Sequence, residues 1–183
     1  HNGNLTNAQA LKSELFSADH RHINTESDSE VLLNVLAHEL EHTTRGFSLS
    51  AEQVFAAVRG VQKRIRGSYA VIAMIAGHGL LAFRDPYGIR PLCIGKGADG
   101  TWMVGSESVA LEGTGNHFER DVVPGEAVYI DLKGQLHAQQ CAANPQLMPC
   151  IFEFVYLARP DSTMDGMSVY QARLNLGETL AKR

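Results

Sequence analysis

Two short patterns in the 183-residue chain contain residue types that can do chemistry, and the first is Asn2-Gly3. An asparagine side-chain amide next to a backbone N–H supplies two donors that can stabilise an oxyanion. Loss of one such donor typically lowers a reaction rate on the order of 10²- to 10³-fold. Asn-Gly is also a common turn dipeptide, because both residues tolerate left-handed backbone. On the dipeptide alone we favour the turn.

The second pattern is His38-Glu39-Leu40-Glu41-His42, which matches H-E-x-x-H on a predicted helix. Two histidines at this spacing can bind zinc, with the first glutamate as general base. No suitably spaced third protein ligand follows in the sequence. We therefore predict no metal site in this segment and favour a polar helix end, where histidines complement the negative end of the helix dipole. A zinc peptidase is kept as an alternative.

A carboxylate and two arginines are further candidates. Asp28 lies in the first turn of a predicted helix, where a negative charge contributes about 0.3–1 kcal/mol through the helix dipole. It could equally bind the ammonium group of an amino-acid ligand, and alone it favours the structural role. Arg84-Asp85 and Arg90 bracket a tight turn, and we interpret them as ion-pairing groups that fix the shape of a loop.

Capping patterns predict the helices that would position these residues. Thr6–Gln9, Ser27–Glu30 and Ser50–Gln53 each have a hydroxyl followed three residues later by Gln or Glu, which is typical of a capping box. They predict three helices in the first third of the chain, and Gly67 is expected to end the third helical region. Ser168–Gln171 predicts a final helix.

Short apolar runs separated by turn residues predict strands in the middle of the chain. The predicted strands are Tyr69–Ala76, Leu80–Phe83, Leu92–Ile94, Thr101–Val104, Ala127–Asp131, Gln135–Ala138 and, as a buried strand, Ile151–Leu157. Gly95–Gly100 formally matches G-x-G-x-x-G. A dinucleotide site needs a helix after the glycines, and a strand is predicted there, so we favour a hairpin turn. Strands without intervening helices favour antiparallel pairing, and the fold class is α+β.

Composition excludes several classes of protein. Hydrophobic residues make up 44% of the chain and charged residues 20%, and the formal net charge is −4. A nucleic-acid-binding surface would need clustered lysine and arginine, and a membrane span would need about 20 apolar residues. Three cysteines without CxxC spacing do not form a disulfide framework. We expect a cytoplasmic protein that contacts neither nucleic acid nor membrane.

Four segments together resemble the amidophosphoribosyltransferase family, whose glutamine-dependent enzymes commit phosphoribosyl pyrophosphate to purine synthesis. The segments are His1–Asn7, Asn24–Glu30, Arg84–Leu92 and Phe152–Ser162, which occur in the order of the family. The H-N-G element is shared by the wider class of amidotransferases that use an N-terminal cysteine. The R-D-P-Y-G-I-R-P-L and R-P-D-S segments are much more particular to this family.

The resemblance implies an architecture. It is the four-layer αββα sandwich of N-terminal-nucleophile hydrolases, with two antiparallel sheets between helical layers. Residues 1–157 would form a glutamine amidotransferase type 2 domain that is truncated at its start. Residues 158–183 would form a linker and the first helix leading to a phosphoribosyltransferase domain. Because the chain starts at His1 and ends inside a predicted helix, we expect a segment of a longer protein.

The resemblance also implies a mechanism. Asn2 and Gly3 would form the oxyanion hole over the glutamine carboxamide, and Asp28 would bind the α-ammonium of glutamine. A cysteine thiolate at the N-terminus attacks the amide, its own amino group moves the proton, and a γ-glutamyl thioester is hydrolysed to glutamate. The ammonia displaces pyrophosphate and gives 5-phosphoribosylamine. Because this cysteine is expected upstream of His1, we predict that the 183-residue chain alone hydrolyses no glutamine.

The cofactors and partners are likewise implied by the resemblance. They are glutamine, phosphoribosyl pyrophosphate with Mg²⁺ in the phosphoribosyltransferase domain, and further copies of the same chain in a homo-oligomer. Cys150 resembles one ligand position of the iron–sulfur cluster that some members carry, and four thiolates are needed. A free buried cysteine is the other interpretation. The alternative functions are a sister amidotransferase of the glucosamine phosphate synthase type, a non-catalytic regulatory module and the zinc peptidase.

Overall fold

The computed structural model describes residues 1–44, 46 and 48–182. The helices are α1 (Ala8–Asp19), α2 (Asp28–Thr43), α3 (Ala51–Arg64), α4 (Ser108–Glu112) and α5 (Val169–Ala181). The strands are β1 (Asn2–Leu5), β2 (Gly67–Ile75), β3 (Gly79–Arg84), β4 (Cys93–Gly97), β5 (Trp102–Gly105), β6 (Asn116–Asp121), β7 (Glu126–Asp131), β8 (Leu136–Gln140), β9 (Thr163–Met164) and β10 (Met167–Ser168). A π-helical segment spans Glu153–Leu157.

Two larger sheets are antiparallel throughout, as the strand pattern predicts. The five-stranded sheet has the order β1-β2-β3-β7-β8, and the three-stranded sheet has the order β5-β4-β6. β2 and β3 form the predicted hairpin, with Ile75 opposite Gly79 at its tip. β4 and β5 form the hairpin predicted at Gly95–Gly100, with Lys96 opposite Trp102.

Alternation of side chains along the strands builds the layers. Tyr69 and Val71 of β2 point to one face of the five-stranded sheet and pack in a core with α1, α2 and α3. Ala70 points to the other face and packs in a second core against Leu92 and Ile94, next to the three-stranded sheet. Leu111 of α4 is fully buried on the outer side of that sheet. The α+β fold with four layers, helix–sheet–sheet–helix, is therefore confirmed.

The caps differ in detail from the prediction. Ser50 and Gln53 form the predicted capping box, and Ser168 caps α5. The prediction that Thr6 caps α1 is wrong, because Asn7 occupies the cap position and makes no side-chain cap bond. The Asn7 side chain instead binds the end of α3 and the connection to β2. It donates to Arg64 O at 2.9 Å and accepts from the Arg66 N–H at 2.9 Å.

The predicted buried strand at Ile151–Leu157 is also wrong, because this segment is helical. The Ala158 N–H donates to Glu153 O, which is the i→i+5 bond of a π-helix. Only Glu153 and Phe154 are buried, and the other side chains of the segment are exposed. The run of branched and aromatic residues resembles a strand, but Arg90 and Arg173 bind the segment in its helical form. Arg90 donates to Glu153 Oε1 at 2.6 Å, and Arg173 donates to the carbonyl of Phe154 at 2.7 Å.

Arg84 is a buried arginine whose guanidinium group is fully hydrogen-bonded. Its side chain is 1% exposed and forms an ion pair with Asp165, whose carboxylate is 6% exposed. All five guanidinium N–H groups have acceptors: two go to this carboxylate and the others to the carbonyls of Gly88, Arg90 and Val122. Arg84 therefore joins the turn after β3 and the β6–β7 connection to the β9–β10 hairpin.

We expect Arg84→Met and Asp165→Asn each to lower the free energy of unfolding by about 3–5 kcal/mol, because each leaves a buried charge without its partner. Urea unfolding monitored by fluorescence measures this, and the double variant should lose less than the sum of the single losses. Arg59→Met is the matched control, since Arg59 pairs with Glu52 at a half-exposed site. It should change the free energy by about 0–1 kcal/mol. Equal effects for Arg84→Met and Arg59→Met would contradict the role assigned to Arg84.

Candidate functional site

Strand β1 lies at the edge of the five-stranded sheet and carries both predicted oxyanion residues. Among the described strands it pairs with β2 alone, so that Asn2 lies opposite Ala70 and Gly3 opposite Tyr69. Both main-chain hydrogen-bonding groups of Tyr69 point to the side of β2 opposite β1. The Tyr69 carbonyl accepts from the Asp85 N–H, and the Tyr69 N–H donates to the Asp85 carboxylate. Bonding sides alternate along an antiparallel strand. The Gly3 N–H is therefore directed to the open edge of the sheet.

Gly3 can occupy this position only because it has no side chain. Its φ is +143°, and a Cβ atom would lie 2.0 Å from the carbonyl oxygen of Ser68. Gly67, opposite Leu5, is equally restricted, since its Cβ would lie 2.2 Å from Asn4 O. Gly67 was predicted to end a helix, and that prediction is wrong: α3 ends at Arg64 and Gly67 begins β2. The two glycines let β1 and β2 approach closely.

Asp28, the first residue of α2, lies beside β1. The Leu5 N–H donates to Asp28 Oδ2 at 2.8 Å, and the His1 imidazole nitrogen Nδ1 is 3.6 Å from Asp28 Oδ1. Gly3 lies between these two contact residues in the strand. The Asp28 side chain is 22% exposed and therefore stays accessible to a ligand. The structure thus brings together Gly3 and Asp28, two of the three predicted site residues, and Asn2 is exposed in the same short strand.

Glu30 organises the loop that leads to Asp28. Ser27 caps α2 as predicted, accepting from the Ser29 N–H, but Glu30 does not complete a capping box with it. The Glu30 carboxylate accepts instead from the N–H groups of Asn24 and Thr25, each at 2.8 Å, and from the Thr25 hydroxyl at 2.6 Å. These bonds, led by that of the Asn24 N–H, hold the pKa of Glu30 at about 2, well below its ordinary value. Sequence patterns suggested only a cap at this position.

The side chains of the H-E-x-x-H pattern have structural contacts. His38 Nδ1 lies 2.7 Å from Asp19 Oδ2, and Glu39 accepts from Arg64 at 2.9 Å. The rings of His38 and His42 stack with their centroids 4.0 Å apart. Within residues 1–44, 46 and 48–182, no three His, Cys, Asp or Glu side chains lie close enough to hold a metal ion.

The two buried cysteines are poorly suited to nucleophilic chemistry. Burial raises the pKa of Cys93 to about 12 and that of Cys141 to about 11, so both are neutral thiols at physiological pH. Cys150 precedes the π-helical segment and donates its N–H to Ile89 O. A nucleophilic cysteine needs an accessible thiolate, and the two buried cysteines of this chain provide none.

A comparison with known protein families shows which family the chain belongs to. Residues 1–113 match the family described as "Glutamine amidotransferase domain", and this range includes Asn2, Gly3 and Asp28. The chain belongs to this family. Glutamine amidotransferase domains act on an amino acid that carries a carboxamide, and the edge of β1 presents N–H donors and a carboxylate side by side.

Curated relatives and solved structures show which members of this family the chain is similar to. The chain is 54% identical to the amidophosphoribosyltransferase of Pasteurella multocida and 55% identical to that of Escherichia coli, over 100% of the chain and 37% of each relative. The solved glutamine phosphoribosylpyrophosphate amidotransferase from B. subtilis, complexed with ADP and GMP, superposes with a TM-score of 0.82 at 33% identity. That match covers 100% of this chain and 37% of the other. The resemblance predicted from the four segments is confirmed, and the chain spans about a third of the length of these relatives.

We expect Gly3→Ala to destabilise the protein by about 1–3 kcal/mol more than Gly77→Ala, because added bulk at a close-packed position forces a backbone shift. Both glycines have positive φ, but an added Cβ at Gly77 meets nothing within 4 Å. Urea unfolding of the two variants separates the clash from the backbone strain that both share. Equal losses would show that β1 and β2 can move apart freely.

We expect Glu30→Gln to destabilise the protein in a pH-dependent way. The pKa of Glu30 is lower in the folded chain than its ordinary value of 4.5. Its contribution is therefore complete above about pH 5 and is lost as the pH falls towards the folded value. Urea unfolding of wild type and variant at pH 7, 5 and 3 should give a difference that shrinks at pH 3. The exposed Glu178→Gln on α5 is the control, and a difference that is constant with pH would contradict this role.

Proposed function

We propose that this chain is the glutaminase part of an amidophosphoribosyltransferase. The whole protein makes 5-phosphoribosylamine, glutamate and pyrophosphate from glutamine and phosphoribosyl pyrophosphate, the first step of de novo purine synthesis. The observation that carries the proposal is the Asp28 carboxylate held against β1 beside the outward-directed N–H of Gly3. The relatives that match across the entire chain support this reaction.

The site fits glutamine at both ends. Asp28 accepts a bond from the Leu5 N–H and keeps one oxygen turned towards the side of β1 near His1. That carboxylate binds the α-ammonium of glutamine. Gly3 is two residues from Leu5, which corresponds to about 6–7 Å of strand. An extended glutamine spans this distance and places its carboxamide at the N–H donors of Asn2 and Gly3.

The chemistry follows from these positions. The amide carbonyl oxygen becomes negatively charged when a thiolate attacks, and the Asn2 side-chain N–H and the Gly3 backbone N–H stabilise that charge. The thiolate belongs to an N-terminal cysteine of the full-length protein, whose amino group moves the proton to the leaving ammonia. Water then hydrolyses the γ-glutamyl thioester and releases glutamate. Because Cys93 and Cys141 are buried as neutral thiols, neither replaces this nucleophile.

The second half of the reaction takes place outside these residues. We propose that residues 1–157 form the glutaminase domain and that residues 158–183 lead to a phosphoribosyltransferase domain, where Mg²⁺ accompanies phosphoribosyl pyrophosphate. Residue 183 lies outside the described residues. The side chains of Phe152, Tyr156 and Leu180 are exposed, which supports further protein packing around this end of the chain. A homo-oligomer is part of the same proposal.

The described residues do not provide the set of cysteine ligands that an iron–sulfur cluster needs. Cys150 is half-buried, while Cys93 and Cys141 are buried elsewhere in the fold. A cluster needs four thiolates, and no three candidate ligands lie together in the part of the chain that the structure describes. The proposed mechanism includes no step at such a cluster.

No helix among the described residues is long and apolar enough to cross a membrane.

The test is glutamate release by the full-length protein that contains this chain, with and without phosphoribosyl pyrophosphate. We expect release that increases with phosphoribosyl pyrophosphate. Asn2→Ala should lower kcat on the order of 10²- to 10³-fold, because one oxyanion donor is lost. Asn144→Ala, in an exposed loop, is the matched control and should keep full activity.

Two other results would redirect the assignment. Release that is indifferent to phosphoribosyl pyrophosphate would indicate a sister amidotransferase, and no release would reject the glutaminase proposal. We expect the isolated 183-residue chain to release no glutamate, and measurable release by it would overturn the role given to the N-terminal cysteine.

A further inference from the structure

The imidazole of His1 is buried next to the proposed ammonium-binding carboxylate. Its side chain is 5% exposed. His1 Nδ1 lies 2.9 Å from Ser29 Oγ and 3.6 Å from Asp28 Oδ1. The ring therefore contacts two consecutive residues at the start of α2.

These contacts place one neighbour next to each oxygen of the Asp28 carboxylate. The Leu5 N–H holds Oδ2 at 2.8 Å, and the His1 imidazole lies against Oδ1 on the other side. Ser29 Oγ holds the ring in place at Nδ1. The 3.6 Å separation of His1 Nδ1 and Asp28 Oδ1 is an ion-pair distance and is too long for a hydrogen bond. Without His1, the Leu5 hydrogen bond would hold one carboxylate oxygen, and the carboxylate could rotate about its side-chain bonds.

We infer that His1 is a positioning residue that orients Asp28 for the α-ammonium of an amino-acid substrate. The inference rests on the proposed function, because it assigns His1 a part in the same glutamine site. His1 has no contact with the carboxamide end in this scheme. It acts through Asp28, and the Ser29 hydroxyl acts through His1.

A fixed carboxylate improves recognition of the substrate more than the chemical step. A carboxylate that is already immobilised loses less conformational entropy when the ammonium group binds. The Asn2 and Gly3 donors act on the amide carbonyl and are independent of the Asp28 rotamer. Loss of His1 should therefore raise KM for glutamine and leave kcat nearly unchanged.

The first experiment measures glutaminase kinetics of the full-length protein with His1→Phe and His1→Asn. Phenylalanine keeps the ring and removes the nitrogens, whereas the asparagine amide nitrogen can replace Nδ1. We expect His1→Phe to raise KM for glutamine on the order of tenfold, with kcat within about twofold, and His1→Asn to recover most of the loss. His22→Phe, at an exposed histidine, is the matched control and should behave as wild type.

A substrate without the amino group separates positioning from general damage. Glutaramic acid has the carboxamide and carboxylate of glutamine but no α-ammonium. We expect His1→Phe to lower kcat/KM for glutamine and to leave kcat/KM for glutaramic acid unchanged. Equal losses for both substrates would show that His1 supports the strand rather than Asp28, and an unchanged KM for glutamine would overturn the inference directly.

Two further variants keep the test independent of one substitution. Ser29→Ala removes the hydroxyl that holds the ring and should raise KM for glutamine by a smaller factor in the same direction. In an Asp28→Asn background, His1→Phe should add little, because residues that act as a unit are non-additive. Full additivity would contradict the inference. Wild-type protein that releases no glutamate would instead reject the proposed function on which it rests.

Discussion

A buried guanidinium must find an acceptor for every N–H, and this requirement at Arg84 organises much of the fold. Leaving such a charge unpaired in the interior is far more costly than leaving a neutral group unpaired. Arg84 collects its acceptors from the turn after β3, from Val122 and from Asp165. Asp165 is placed by an Asp-Gly turn between β9 and β10, with φ of 50° at Asp165 and 75° at Gly166. Segments distant in sequence are thereby held around one side chain.

The neighbouring Asp85 extends this constraint to the proposed site. Its carboxylate accepts from the N–H groups of Tyr87, Ile89 and Tyr69, and burial raises the pKa of Asp85 in spite of these bonds. Because Tyr69 bonds to Asp85 through both of its main-chain groups, it cannot bond to β1 at that residue. The opposite residue, Gly3, consequently directs its N–H outwards. The geometry of the proposed oxyanion donor depends on the same network that closes the turn after β3.

The proposed ammonium site depends on a second structural feature, the N-terminus of α2. Glu30 ties the Asn24–Thr25 loop to the helix, and Leu5 and His1 approach Asp28 from β1. A helix N-terminus also favours negative charge, so the role of Asp28 in the helix is compatible with its proposed role in binding a ligand. The two interpretations of this residue that the sequence left open are compatible in the structure. The fold places a carboxylate next to N–H donors without any long side chain having to reach across a cavity.

Local sequence determined those features that depend on local interactions. Short apolar runs between turn residues identified β2, β3 and β7, a capping box identified α3, and glycine-rich spacing identified the β4–β5 hairpin. The roles of Asn2-Gly3 and Asp28 were recognisable because these residues lie in segments whose combination and order resemble one family, although the H-N-G element itself is shared by a wider class. The Asp165-Gly166 hairpin signal was also present in the sequence and was missed, as were β1, α4 and β6.

Only the tertiary structure decided the remaining features, because most of them arise from partners far apart in the chain. Ile151–Leu157 has the composition of a strand, yet Arg90 and Arg173 stabilise it as a helix. Glu30 resembles a capping residue, yet its oxygens bind Asn24 and Thr25, which are near in sequence but lie in a loop whose shape the capping pattern does not specify. His1 belongs to the H-N-G element, but the sequence assigned it no role, and its position against Asp28 results from β1 lying beside α2. Short-range patterns specify elements, whereas a buried charge or a ligand site is specified by which elements the folded chain brings into contact.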